Sequence, residues 1–149
     1  MKHKGSKFGY EDERDKDLMR AYNEQLESCD TIVLSDIFRN VVAMPSARFW
    51  VSEERAAVVI GCMLRGDKLE KMRTNAREMY FEIYKRVVSE REKYTDKSIA
   101  EIVFNVIRQP APKFYLTPDS ARVIVTRLKR EKYSNVFKRM RHMFNSSGN

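Results

Sequence analysis

The chain has little glycine, proline or cysteine: five, four and two residues among 149. So few turn-forming residues argue against a turn-rich β-protein and against a glycine-rich phosphate loop. Two cysteines cannot make a disulfide framework, so we expect a reducing, cytoplasmic location. No apolar run approaches the ~18 residues of a membrane span, and the first ten residues lack the apolar stretch of a secretory signal. We therefore expect no membrane partner.

Residues typical of catalytic and metal sites are also scarce. The two histidines, His3 and His142, lie near opposite ends of the chain, and neither Cys29 nor Cys62 has a Cys-x-x-Cys neighbour. A zinc site needs a closer set of ligands than this. No glycine motif for binding a nucleotide phosphate is present. The sequence predicts no enzyme, no metal site and no cofactor.

What the chain has is positive charge, and it is unevenly placed. The formal net charge is +8, with Lys2, Lys4 and Lys7 in the first ten residues. Residues 11–35 carry −5, whereas residues 109–149 carry +7. A strongly basic end on a small protein favours a polyanionic partner, although such an end also serves solubility.

The sequence contains an internal repeat with an offset of 65 residues. Residues 36–67 align with 101–132 without a gap, and eight of the 32 aligned positions are identical. Pro45 falls on Pro110, and Phe49 falls on Phe114. Repeats of this kind indicate a duplicated structural unit.

Each unit is predicted to contain three helices, because apolar residues recur at helical spacing. The predicted helices are 11–27, 35–43 and one from Ser52 in the first unit, then 75–93, 97–108 and one from Thr117 in the second. Ser52 and Thr117 are good N-caps, and Pro118 suits the first helical position. We expect an all-α fold made of a basic disordered arm (1–10), three-helix units at 11–68 and 69–132, and a C-terminal amphipathic helix and tail (133–149).

Three short helices in tandem resemble Myb/SANT-type or paired homeodomain-like modules, whose second and third helices form a helix-turn-helix. The resemblance is one of architecture and lacks the tryptophan spacing of Myb repeats. The strings at 48–52 and 110–117 are also similar to strings in small uncharacterised basic proteins of Bacteroidetes genomes and mobile elements. That second resemblance implies no known activity.

The resemblance implies that the third helix of the second unit reads DNA in the major groove. Ala121, Ile124, Val125 and Leu128 are predicted to face the core. The opposite face carries side chains suited to bases and phosphates. The predicted nucleic-acid-binding residues are Arg48, Lys113, Arg122, Thr126, Arg127, Lys129, Arg130, Lys138 and Arg139.

The corresponding face of the first unit is small and mostly apolar, at Ala57, Gly61 and Leu64. It suits packing against another helix, in the same chain, a protein partner or a homodimer. The repeated link motif at 48–52 and 113–117 allows two interpretations. Its aromatic residues either stack on bases or, as we favour, fill the core at Phe49 and Phe114.

The sequence thus predicts a protein that binds nucleic acid, double-stranded DNA rather than RNA, as a regulator or accessory factor of a phage or mobile element. One alternative is a protein-interaction or assembly adaptor. Another is an RNA-binding accessory subunit of a nucleic-acid enzyme. A continuous positive patch joining Arg48, Lys113, Arg122, Arg127 and Arg130 would favour the first hypothesis.

Overall fold

A computed structural model describes residues 9–147, with side chains as far as Asn145. This part of the chain is all-α and contains no β-sheet, as the helical periodicity predicts. Most of the basic arm predicted at 1–10, including Lys2, Lys4 and Lys7, lies outside it. The helices are α1 (Glu11–Ser28), α2 (Leu34–Ala43), α3 (Glu53–Leu64), α4 (Thr74–Lys93), α5 (Ile99–Ile107) and α6 (Pro118–Ser147).

The helix starts follow local capping chemistry. The Ser52 hydroxyl oxygen accepts a hydrogen bond from the Arg55 N–H at 3.1 Å, and Thr117 does the same for Ser120 at 3.1 Å. These contacts satisfy N–H groups that have no partner within the helix. One boundary differs from expectation: no break occurs near residue 133, because nothing between Pro118 and Ser147 is glycine or a second proline. The expected C-terminal helix is the second half of α6.

The helices pack in two clusters, and neither cluster corresponds to a sequence unit. The first cluster consists of α1, α2 and α6, and the second consists of α3, α4 and α5. Within residues 9–147, α2 does not pack against α3, and α5 does not pack against α6. The expected units 11–68 and 69–132 are therefore not self-contained, since the third helix of each lies in the other's cluster.

Each cluster has its own apolar core. Apolar side chains dominate both cores because burying them removes ~25 cal/mol of unfavourable hydration per Å². The buried residues of the first cluster are Leu18, Ala21, Tyr22, Ile37, Phe38, Val41, Phe114, Ala121 and Val125. Those of the second include Phe49, Ala56, Ile60, Ile83, Val87, Ile102, Val106 and Ile107.

The extended links that precede α3 and α6 cross each other between the clusters. Ser46 and Ala111 exchange two backbone hydrogen bonds of 3.0 Å in an antiparallel bridge. The Phe49 N–H donates to the Ile107 carbonyl at 3.0 Å, and the Phe114 N–H donates to the Val42 carbonyl at 3.1 Å. Ser46 and Phe49 lie 65 residues before Ala111 and Phe114, the offset of the sequence repeat. Phe49 and Phe114 are both buried, as the interpretation of the link motif predicts.

Arginines of α1 and α4 hold the two links from outside. Arg20 donates to Asp17 at 2.9 Å and to the Pro45 carbonyl at 3.2 Å. The buried Asp17 carboxylate also accepts the Ala47 N–H at 2.8 Å. Arg86 donates to the Pro110 carbonyl at 3.0 Å. Charge-assisted bonds of this kind are stronger than neutral ones, so they stabilise the crossing.

Tyr115, next to the crossing, has a φ of +58°. Few residues other than glycine adopt this left-handed conformation, so the surrounding packing has to hold it. Its ring stacks on Phe49 with the ring centres 6.1 Å apart. Burial, helped by the carboxylate of Glu82, raises the pKa of the Tyr115 hydroxyl to about 12 from its ordinary 10.

This pKa predicts a loss of stability at alkaline pH. Below pH 10 both the folded and unfolded states keep the Tyr115 proton, whereas between pH 10 and about 12 the unfolded state loses it first. The free energy of unfolding from urea titrations should therefore fall over that interval less steeply in Tyr115→Phe than in the original protein. Tyr133→Phe, at an exposed tyrosine, is the control. Identical pH profiles for Tyr115→Phe and the original protein would refute this effect.

Candidate nucleic-acid interface

The candidate interface is α6, whose two halves have different surroundings. From Pro118 to Leu128 one side packs on α1 and α2, with Ala121 and Val125 buried. Every residue from Lys129 to Asn145, which we call the distal half, is exposed. The helix has 30 residues and thus extends about 45 Å, so its distal half leaves the body of the protein.

Two predicted binding residues on α6 are engaged inside the protein instead. Arg127 donates to the Asp15 carboxylate at 2.8 Å. Lys129 donates to the Tyr22 hydroxyl at 2.7 Å and lies 4.5 Å from the centre of that ring. These contacts fix α6 to α1, so part of the hydrogen-bonding capacity of both cations is used within the fold.

The two predicted cations of the links are also engaged. Arg48 donates to the carbonyls of Phe49 and Val51 at 3.2 and 3.1 Å, and burial lowers the pKa of its guanidinium. It lies 5.4 Å from the centre of the Trp50 ring. Lys113 pairs with Glu78 at 2.7 Å. The structure gives both residues a role in holding the links, which sequence patterns did not indicate.

Five of the predicted residues remain open to a ligand. Arg122, Thr126 and Arg130 lie on the side of α6 turned away from α1 and α2 and are exposed. Lys138 and Arg139 lie in the distal half. Among the described residues, none of these four cations forms an ion pair. Two further cations, Lys132 and Arg141, lie on the same helix and form no ion pair among the described residues.

The acidic partners of Arg127 and Lys113 could not be read from helical spacing. Asp15 is 112 residues from Arg127 in the chain, and Glu78 is 35 residues from Lys113. Their contacts depend on which helices pack together. The charge content of the sequence thus predicted more cations free to bind a ligand than the folded structure contains.

The predicted interaction face of the first unit lies on α3 and is half-buried. Leu64 packs against the second cluster. Ala57 lines a shallow groove with Ala100 and Phe104 of α5. At Gly61, an added Cβ atom would come no closer than 3.6 Å to the Arg65 side chain. Within the chain, the edge of this face at Ala57 therefore lies beside α5, and there is room for a small side chain at Gly61.

Comparisons with known proteins add no further constraint. No protein-family model, curated protein or solved structure matches this chain. Among residues 9–147, no helix is both long and apolar enough to cross a membrane. The same residues hold no group of three or more His, Cys, Asp or Glu side chains placed to bind a metal ion.

The space at Gly61 predicts that Gly61→Ala stabilises the protein. Alanine favours a helix interior over glycine by about 1 kcal/mol, and the added methyl group makes only ordinary contacts. Urea unfolding should therefore show a higher free energy of unfolding for the variant. A decrease would show that a helix packs closely on this face. Ala57→Gly, at a half-buried position of the same helix, is the reverse control and should lower stability.

Proposed function

We propose that the protein binds nucleic acid, double-stranded DNA in particular, through α6, as a regulator or accessory factor. The observation that carries this proposal is the charge of α6. The helix contains eight Lys or Arg and two acidic residues, a net charge of +6. Among the described residues, seven of those cations have no carboxylate partner, since only Arg127 pairs with one. A concentrated, unneutralised positive charge is the electrostatic signature of a phosphate-binding surface.

The binding would use two sets of side chains. Arg122 and Thr126 lie on the outward side of the packed half of α6, where the helix is supported from behind, and Arg130 follows on the same side at the start of the distal half. Such a half-embedded helix can enter the major groove, where arginine reads guanine edges and threonine binds either bases or phosphates. The distal cations Lys138 and Arg141 would neutralise phosphates beside the groove.

The dimensions of α6 favour DNA over RNA. An α-helix with side chains is about 10–12 Å wide, and the major groove of B-form DNA is about 12 Å wide. The major groove of an A-form RNA helix is too narrow for side chains to read. Phosphate contacts alone would not discriminate between the two, so the preference depends on the outward side of α6 entering the groove.

We also infer that the fold arose from a duplicated three-helix unit whose third helices are exchanged. The 65-residue offset of the sequence repeat recurs in the hydrogen bonds of the links, at Ser46 with Ala111 and at Phe49 with Phe114. Exchange places the basic third helix of the second unit on the acidic α1. The ion pair between Asp15 and Arg127 supports that arrangement.

This proposal predicts steep salt dependence. In fluorescence anisotropy with a labelled random-sequence duplex, the logarithm of the binding constant should fall linearly with the logarithm of salt concentration. Each lost phosphate contact reduces the slope by about 0.9. Lys138→Ala/Arg141→Ala should therefore flatten the slope by roughly 2 and weaken binding at low salt.

The control changes the same amount of charge elsewhere. Lys68 and Lys71 are exposed and lie between α3 and α4, so Lys68→Ala/Lys71→Ala should leave the slope unchanged. An RNA hairpin tested in parallel should bind more weakly than the duplex. The proposal fails if the duplex does not bind at low salt, or if both double variants reduce the slope equally.

A further inference from the structure

The distal half of α6 carries an apolar stripe that the proposed function does not use. Tyr133, Phe137 and Met140 follow one another at intervals of four and three residues, with Val136 beside them. Their exposed fractions are 70, 58, 47 and 44 % in the order Tyr133, Phe137, Met140, Val136. The Tyr133 and Phe137 rings contact each other, with centres 6.3 Å apart. Large apolar side chains aligned along an exposed helix are typical of a docking surface.

The stripe is not a continuation of the side that packs against the body. At 100° per residue, the direction of the stripe differs by about 130° from that of Ala121, Ile124, Val125 and Leu128. As far as Arg139, the positions that continue the packed side carry polar residues instead: Lys132, Asn135 and Arg139. The sequence thus ends one apolar face at Leu128 and begins another on the opposite side. Because the new face points away from α1 and α2, a straight α6 cannot cover it with its own body.

Exposure also leaves the distal half without the usual source of helix stability. A helical segment of about 15 residues is only marginally stable in water, and most helices in proteins are stabilised by packing of an apolar face. The stripe provides such a face. The charge of the distal half indicates the chemistry of the partner, because residues 129–145 carry a net charge of +5. Arg130 and Arg141 lie at one edge of the stripe, and Lys132 and Arg139 lie at the other. The matching surface should be apolar at its centre and acidic around it.

The chain itself presents a surface of that description. Ile32, Val33 and Leu34, at the junction of α1 and α2, are consecutive and exposed by 59, 48 and 48 %. We call these three residues the junction patch. Residues 21–38 around it contain four carboxylates and no Lys or Arg. Of those four, Glu27 and Asp30 are exposed and form no ion pair with other described residues.

We propose that the distal stripe of α6 docks on the junction patch of a second copy of this chain. Apolar side chains would meet at the centre, and Lys132 and Arg139 at one edge of the stripe would face Glu27 and Asp30 of that copy. In the proposed assembly the two contacts are reciprocal, which closes a two-fold dimer rather than an open chain of copies. Opposite charges favour this pairing, whereas two stripes paired with each other would bring like charges together.

The oligomeric state tests this inference without nucleic acid, so its outcome is separate from that of the DNA-binding proposal. Sedimentation velocity over a wide concentration range should show a monomer–dimer equilibrium that weakens with added salt. Phe137→Ala/Met140→Ala should weaken the dimer tenfold or more, and Val33→Ser/Leu34→Ser should do the same. Both sets of residues are exposed, so the monomer fold should persist, which circular dichroism would check. Val58→Ala, at an exposed apolar residue of α3, is the control.

Mixing the two double variants distinguishes this contact from other modes of pairing. Each variant alone lacks both contacts, whereas a mixed dimer keeps one intact stripe on one intact patch. The mixture should therefore contain more dimer than either variant alone. Pairing of stripe with stripe would leave the junction-patch variant as dimeric as the original protein and would overturn the proposal. A protein that stays monomeric at every concentration, including one whose stripe instead binds anionic vesicles, would overturn it as well.

Discussion

The arrangement of the protein depends on the crossing of two short extended links. The hydrogen bonds between Ser46 and Ala111 keep the links antiparallel. The Phe49 N–H attaches the first link to the end of α5, and the Phe114 N–H attaches the second link to the end of α2. A backbone N–H or carbonyl that is buried without a partner costs free energy. The hydrogen bonds between the links therefore favour the crossed arrangement over one in which the links separate. The crossing sends α3 to the second cluster and α6 to the first, so neither cluster is complete without a helix from across the molecule.

This exchange also decides which charges are available. It places the basic α6 against the acidic α1, where Asp15 and Tyr22 engage Arg127 and Lys129. The packing side of α6 ends at Leu128, whereas the helix continues to Ser147. Among the described residues, the cations beyond the packed region therefore form no ion pair, and the apolar side chains among them have no core to enter. One structural feature thus underlies both the nucleic-acid proposal and the proposed contact between copies.

Much of the secondary structure could be predicted because it depends on local signals. Ser52, Thr117 and Pro118 begin helices through capping chemistry, and apolar spacing gives the extent of α1 and α4. The packing of those helices could not be predicted in this way. A three-helix unit closed on itself and one that exchanges its third helix bury the same apolar faces, so periodicity is identical for both. Since Lys113, Arg127 and Lys129 find their partners only through that packing, their engagement within the fold also escaped prediction.

The most direct test of the exchanged arrangement is an NMR measurement of distances from the Val125 methyl groups. In the exchanged fold these methyls lie in the first cluster, so they should give nuclear Overhauser effects to the aromatic rings of Tyr22 and Phe38. In a unit closed on itself, they would instead give effects to Ile83, Ile102 and Val106 of the second cluster. Contacts with α1 and α2 would support the account, and contacts with α4 and α5 would contradict it.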